Sequence, residues 1–256
     1  MKTLKIILQL VVLFVLMPFL SYAQDDNTSQ AYWVHEDPVY PSKVADYESY
    51  CTDLVINCKK YDIQQANWIT ISTDDLKYFH ISPIENMGDL DKSRFSLLQE
   101  KMGEEDFNLL FDNFDNCYDN HNDYIIHLDK DLSYIPSGVT IDESSSRYRK
   151  LEIWYVTPQN LSKIIALAKD FKELYEKNNS KEYYRVYRSG FGASGQYLMV
   201  DISAASASAY EETRKKNKEV LGNERDELYT KLLNTITKVE ILTGYQRPDL
   251  SFTPEK

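Results

Sequence analysis

Apolar residues recur along this chain with two periods, two residues in short stretches and three to four in longer ones, and the periods change in the same order twice. Residues 32–36 alternate as a strand. After them Val44, Tyr47, Cys51, Leu54, Val55 and Cys58 follow the spacing of one buried helix face. Strands are predicted at 67–72 and 77–82, joined across Thr73-Asp74-Asp75. A second helical stretch is interrupted at Gly103, resumes through Phe107, Leu110, Phe111, Phe114 and Cys117, and leads into a strand at 124–128. The second half has a strand at 152–156 and a helix through Leu161, Ile164, Ile165, Ala168, Phe171 and Tyr175. Strands at 183–189 and 196–202 come next, then a helix broken near Gly222 and a last strand at 238–242. Gly190-Phe191-Gly192 precedes a strand rather than a helix, so it reads as a turn and not as a phosphate cradle.

The duplication is also visible residue by residue. Asp131-Leu132-Ser133-Tyr134-Ile135-Pro136 recurs 118 residues later as Asp249-Leu250-Ser251-Phe252-Thr253-Pro254. Glu100-Lys101-Met102-Gly103 recurs 119 residues later as Glu219-Val220-Leu221-Gly222. The expected organisation is a lead-in at 24–30, one repeat at 31–136, a polar linker at 137–148 and a second repeat at 149–254. The order β-α-β-β-α-β is the ferredoxin-like unit, an antiparallel sheet with helices on one face. Its other face needs a cover, which a second copy supplies. The fold class expected is therefore α+β, two tandem ferredoxin-like repeats packed sheet to sheet. In this topology and duplication the chain resembles the dimeric α/β-barrel superfamily, which includes antibiotic-biosynthesis monooxygenase-like and NIPSNAP-like proteins and the chlorite dismutases. It also resembles exported bacterial proteins of unassigned activity.

Strand alternation predicts what lines such a barrel, on the premise that aliphatic side chains turn toward the helices. The first repeat would then contribute Trp33, His35, Trp68, Thr70, Tyr78, His80, Ser82, Ile125 and His127. The second would contribute Ile153, Tyr155, Arg185, Tyr187, Ser189, Tyr197, Met199 and Asp201, its last strand being ambiguous in phase. Trp33, His35, Trp68, Tyr78, His80, Tyr155, Arg185, Tyr187, Tyr197 and Asp201 are the candidate ligand-binding set, since aromatic and polar linings suit a ligand cavity. The alternative is a barrel filled by these side chains bonding one another, with Asp201 and Arg185 as a structural pair. Inward-facing His35, His80 and His127 could hold a metal, but no close ligand pair such as H-x-H occurs, so no metal site is assigned. His121, in a polar turn, reads as solvated. The resemblance to chlorite dismutases implies haem on an axial His of the second unit, yet residues 149–254 contain no His, and the cofactor stays unknown.

Composition narrows the partners. Residues 1–23 carry Lys2 and Lys5, an apolar run from Ile6 to Leu20, and Ser-Tyr-Ala before polar Gln24, as a cleavable secretory signal does. The expectation is an exported bacterial protein, periplasmic or secreted, with no stable membrane anchor after cleavage. The rest has 27 basic against 40 acidic residues, a formal charge of −13, which disfavours nucleic acid. The odd number of cysteines, Cys51, Cys58 and Cys117, argues against a disulfide framework, and Cys51 and Cys58, seven apart on one helix, lie beyond disulfide reach. Duplication supplies the pairing that relatives obtain by dimerising, so a monomer is expected and a dimer stays open. No nucleophile elbow or dinucleotide fingerprint appears. The leading expectation is a small-molecule binder with its ligand in the barrel. The alternatives are a cofactor-independent monooxygenase-like enzyme with Asp201, His35 or His80 as acid or base, and a structural or partner-binding envelope protein.

Overall fold

The computed structural model describes residues 29–136 and 145–255. The segment expected to be a signal, residues 1–23, with residues 24–28 of the lead-in and residues 137–144 of the linker, lies outside them.

Eight antiparallel strands close into one barrel. The first repeat supplies β1 (Ser29–Pro38), α1 (Val44–Lys60), β2 (Ile69–Thr73), β3 (Lys77–Ile84), α2 (Ser96–Met102), α3 (Glu104–Asp115) and β4 (Asn122–Tyr134). The second supplies β5 (Tyr148–Val156), α4 (Leu161–Lys177), β6 (Tyr184–Ser189), β7 (Gln196–Ala204), α5 (Ala207–Leu233) and β8 (Lys238–Gln246). Around the barrel the order is β1-β3-β2-β8-β5-β7-β6-β4. Each repeat thus keeps the ferredoxin-like order, and the two meet at β2–β8 and β4–β6. Several strands outrun the alternating stretches; β4 continues six residues past Leu128, through a register shift after Asp129, to bury Leu132, Ser133 and Tyr134. Gly103 and Gly222 stand at equivalent breaks in the second helix of each repeat, with φ of +89° and +58°, a region L side chains avoid. The three cysteines are buried and free, as small apolar fillers.

The helices lie outside the barrel wall. Val186, Leu198 and Val200 of the second repeat pack with Ile164, Ala168 and Leu232 of α4 and α5. In the first repeat α1 and α3 bury Tyr47, Cys51, Leu110 and Phe114 against the sheet. Inside the barrel Val34, Ile71, Phe79, Ile126, Leu151 and Leu242 form a separate apolar band across six adjacent strands.

The repeated Asp-Leu-Ser motif explains how the seams hold. Ser133 Oγ donates to the Asp129 carbonyl at 2.6 Å and accepts the Val186 N–H at 2.9 Å. Ser251 Oγ donates to the Arg247 carbonyl at 2.7 Å and accepts the Thr70 N–H at 2.9 Å. Leu132 and Leu250 beside them are fully buried. Each repeat's C-terminal segment therefore clasps the second strand of the other repeat. At the β2–β8 seam the backbones approach so closely that a Cβ on Gly244 would lie 2.0 Å from the Ser72 carbonyl oxygen.

Removing either hydroxyl leaves a strand N–H without its acceptor. Ser133→Ala and Ser251→Ala should each lower stability by about 1–3 kcal/mol, additively because the clasps share no partner; urea unfolding midpoints of the two single variants and the double variant check this.

Candidate functional site

The structure sorts the expected site residues into two compartments. Tyr155, Arg185, Tyr187, Tyr197 and Asp201 line the barrel lumen, with Ile153 and Met199. Trp33, His35, Trp68 and His80 do not: they line a cavity on the opposite face of the first sheet, beneath α1 and α3. Tyr78 also faces the helices, its hydroxyl donating to Glu48 of α1 at 2.6 Å. Thr70 and Ser82 go with them, Ser82 into the same cavity and Thr70 into its floor hydrogen bonds. The lumen instead receives Tyr32, Val34, Glu36, Ile69, Ile71, Phe79, Ile81, Tyr124, Ile126 and Leu128. Every strand of the first repeat is thus turned over relative to expectation, because its aliphatic face builds the barrel interior while its aromatic and polar face meets the helices. Ile125 and His127 also alternate away from the lumen, but His127 pairs with Ala31, four residues along β1 from His35, so it does not join His35 and His80. His121 does approach His35, its ring centroid 4.9 Å away, although its turn is exposed.

The helix-side cavity of the first repeat has a volume of about 360 Å³. Phe95, Phe111, Phe114, Trp33 and Trp68 form its walls, and Arg94 stacks its guanidinium 4.5 Å over the Trp33 ring. The C-terminal segment supplies the floor, where the Leu250 carbonyl accepts from Trp68 Nε1 at 2.9 Å and Thr70 Oγ1 at 2.8 Å. One corner is polar. Alternation along β1 places His35 and Asp37 on this face, with His35 Nε2 3.1 Å from Asp37 Oδ1. Tyr47 of α1 donates to Asp37 Oδ2 at 2.5 Å, so the Tyr47 oxygen meets His80 Nε2 at 2.7 Å as an acceptor. On the outer side Asp123 Oδ1 takes His35 Nδ1 and Trp33 Nε1, each at 2.9 Å.

Electrostatics divide the two histidines. Burial works against charge on His35, but the hydrogen bonds to Asp123 and Asp37 outweigh it and raise its pKa to about 10. Burial lowers His80 to about 4, with the neighbouring His35 adding to the effect against the pull of Asp37. Burial raises Asp37, yet bonding and attraction to His35 leave it below the ordinary carboxylate range. Burial lifts the Tyr47 hydroxyl well above its usual value.

The lumen holds about 440 Å³. Its ends carry their own partners: Lys77 Nζ lies 3.6 Å from Glu240 and 4.0 Å from Glu36, and Tyr155 and Tyr124 donate to those same carboxylates. Toward the other end Arg185 and Asp201 face each other in register across β6 and β7. The helix-side space of the second repeat is only about 80 Å³, bounded by Trp154, Phe171, Tyr175, Glu182 and Asn217. It contains no histidine and lies far below the ~300 Å³ at which ligand pockets begin. These residues do not fit a haem there.

No protein-family model matches this sequence, and no curated protein matches it. Solved structures do. An anthrone oxidase-like protein superposes with a TM-score of 0.56 at 14% identity, over 85% of this chain and 91% of that one. A provisionally described monooxygenase from Lactobacillus acidophilus gives 0.52 at 10%, over 89% and 97%. Another from Fusobacterium nucleatum gives 0.51 at 12%, over 86% and 93%. The chain has the tandem ferredoxin-like, dimeric α/β-barrel fold. Among the described residues no helix is long and apolar enough to cross a membrane.

Burial raises the Glu182 pKa, against the hydrogen bonds that Tyr175 and Asn217 donate to it. The stability tied to its neutral form is full below the ordinary carboxylate range and is lost as pH rises through it toward the raised value. Glu182→Gln keeps an acceptor and cannot ionise. Its melting temperature should therefore gain on the wild type as pH rises from the ordinary carboxylate range through the raised Glu182 value; a gain independent of pH would contradict the assignment.

Proposed function

We propose that this protein binds a small, largely apolar organic molecule in the helix-side cavity of its first repeat. The observation that carries the reading is a cavity of about 360 Å³ with aromatic walls and one polar corner formed by His35, Asp37, Tyr47 and His80. That combination of an apolar body and a few convergent polar groups suits a pocket that orients its ligand. The ligand's polar end would meet His35 at the corner, and the five N–H donors of Arg94 at the mouth suit an anionic or carbonyl group. Support of a weaker kind comes from the fold shared with an anthrone oxidase-like protein and with provisional monooxygenases. It favours oxidation of the bound molecule as the enzymatic form of the same reading.

The second reading places the ligand in the barrel lumen, whose volume of about 440 Å³ favours it. Against it stand Lys77, Glu36, Glu240, Tyr124 and Tyr155 at one end of the lumen, which already engage one another. We also read the chain as exported, on the character of residues 1–23.

Native mass spectrometry of the mature chain purified from its own host separates the readings. The wild type should carry an organic mass, reduced about tenfold or more in occupancy by Leu54→Trp, which fills the helix-side cavity, and unaffected by Ile153→Trp, which fills the lumen. The opposite pattern would move the ligand to the lumen, and a wild type without any organic mass would overturn both.

A further inference from the structure

The polar corner of this cavity sets His35 and Asp37, which the small-molecule reading uses, beside His121, which it does not. His35, Asp37 and His121 each offer one donor atom, and the three atoms lie within 4.8 Å of one another. We propose that these residues bind a divalent transition-metal ion, through two imidazole nitrogens and one carboxylate oxygen.

Three features carry the inference. The first is the pair on β1. Residues two apart on a strand share a face, and here they bring His35 Nε2 to 3.1 Å from Asp37 Oδ1. Donors bound about 2.1 Å from one ion stand roughly 3.0–3.4 Å apart in octahedral or tetrahedral coordination, so an ion that displaces to solvent the proton His35 Nε2 shares with Asp37 Oδ1 finds this edge already spaced. The second is the support behind each donor. Asp123 holds His35 Nδ1 at 2.9 Å and is itself held by Trp33 Nε1. A carboxylate on the far nitrogen fixes the tautomer and aims the other nitrogen at a metal. Tyr47 occupies Asp37 Oδ2 and His80 lies on the same oxygen's side, which leaves Oδ1 to face the ion. The third is the placement of His121. It sits in the turn before β4, directly beside β1, where His35 pairs with Asp123. Its half-exposed ring lies with its centroid 4.9 Å from that of His35, so closing the set requires only side-chain rotation.

Two nitrogens and one oxygen suit Zn²⁺, Fe²⁺, Co²⁺ or Mn²⁺ and not the all-oxygen shells of Ca²⁺ or Mg²⁺. Three protein donors leave open coordination positions, and these face the cavity, where a donor atom of a bound organic molecule or a water can complete the shell. The metal proposal rests on the cavity reading only for that last step.

The test is calorimetric titration of the metal-stripped full mature chain with Zn²⁺ and, separately, with Co²⁺, whose visible absorption reports nitrogen and oxygen ligation. One equivalent should bind. His121→Ala, an exposed position that leaves folding intact, should weaken binding by about 100-fold or more, and Asp123→Asn by about 10- to 100-fold. His127→Ala should leave it unchanged, and Leu54→Trp, which blocks the organic ligand, should leave it unchanged as well. Absence of a one-equivalent site, or a site indifferent to His121→Ala, overturns the metal proposal. Because Leu54→Trp separates the two ligands, loss of the metal site with organic mass still bound, or the reverse, tells which reading failed.

Discussion

Closure of the barrel through two inter-repeat seams is the constraint on which the rest depends. A ferredoxin-like unit alone would expose one face of its sheet, and the second unit covers it only if β2 reaches β8 and β4 reaches β6. Both contacts are backbone ladders. Both are fixed by the same device, a serine hydroxyl that spans from its own segment to a strand N–H of the other repeat. The device has a second use on one side only. Leu250, next to Ser251, gives its carbonyl to Trp68 and Thr70 and so floors the cavity of the first repeat. The bidentate pairing of Arg247 with Glu48 then ties that floor to α1.

From this closure follows a division of labour between the repeats. The first lends its aliphatic face to the barrel interior and keeps Trp33, His35, Asp37 and His80 for the space beneath its helices. The second does the reverse, sending Arg185, Tyr187 and Asp201 inward while Val186, Leu198 and Val200 pack against α4 and α5. Its helix-side layer is accordingly close to full, whereas the first repeat's layer holds both an opening and titratable groups. In the proposed reading, one repeat then serves as packing and the other holds the ligand.

The architecture was legible in the sequence because duplication and periodicity report on it directly; the breaks at Gly103 and Gly222 and the strand order all follow from them. The compartment of the site was not. A two-residue period tells which residues share a face and is silent on which face is covered by what, and a one-residue slip inverts the whole assignment. On β6 and β7 of the second repeat the premise that aliphatic residues meet helices held, since Val186, Leu198 and Val200 do, whereas Leu151 and Leu242 of β5 and β8 face the lumen. In the first it failed, since Val34, Ile71 and Phe79 meet one another across the lumen. The repeat itself carried a usable signal: β2 and β6 place Ile69 with Arg185 and Ile71 with Tyr187, 116 residues apart, and their lumen-facing positions correspond. His121 escaped for a different reason. Turn residues have no periodicity, and its nearness to His35 arises only from the pairing of β1 with β4.

The account's central claim is that function resides between the first sheet and its helices and not inside the barrel. A crystal structure of the protein purified from its own host without chelator tests this most directly. The account predicts electron density beyond protein atoms beside Trp33, His35 and Arg94, with the lumen occupied only by side chains and water. Density between Arg185, Tyr187 and Asp201, with the helix-side cavity closed by its own aromatic residues, would contradict it.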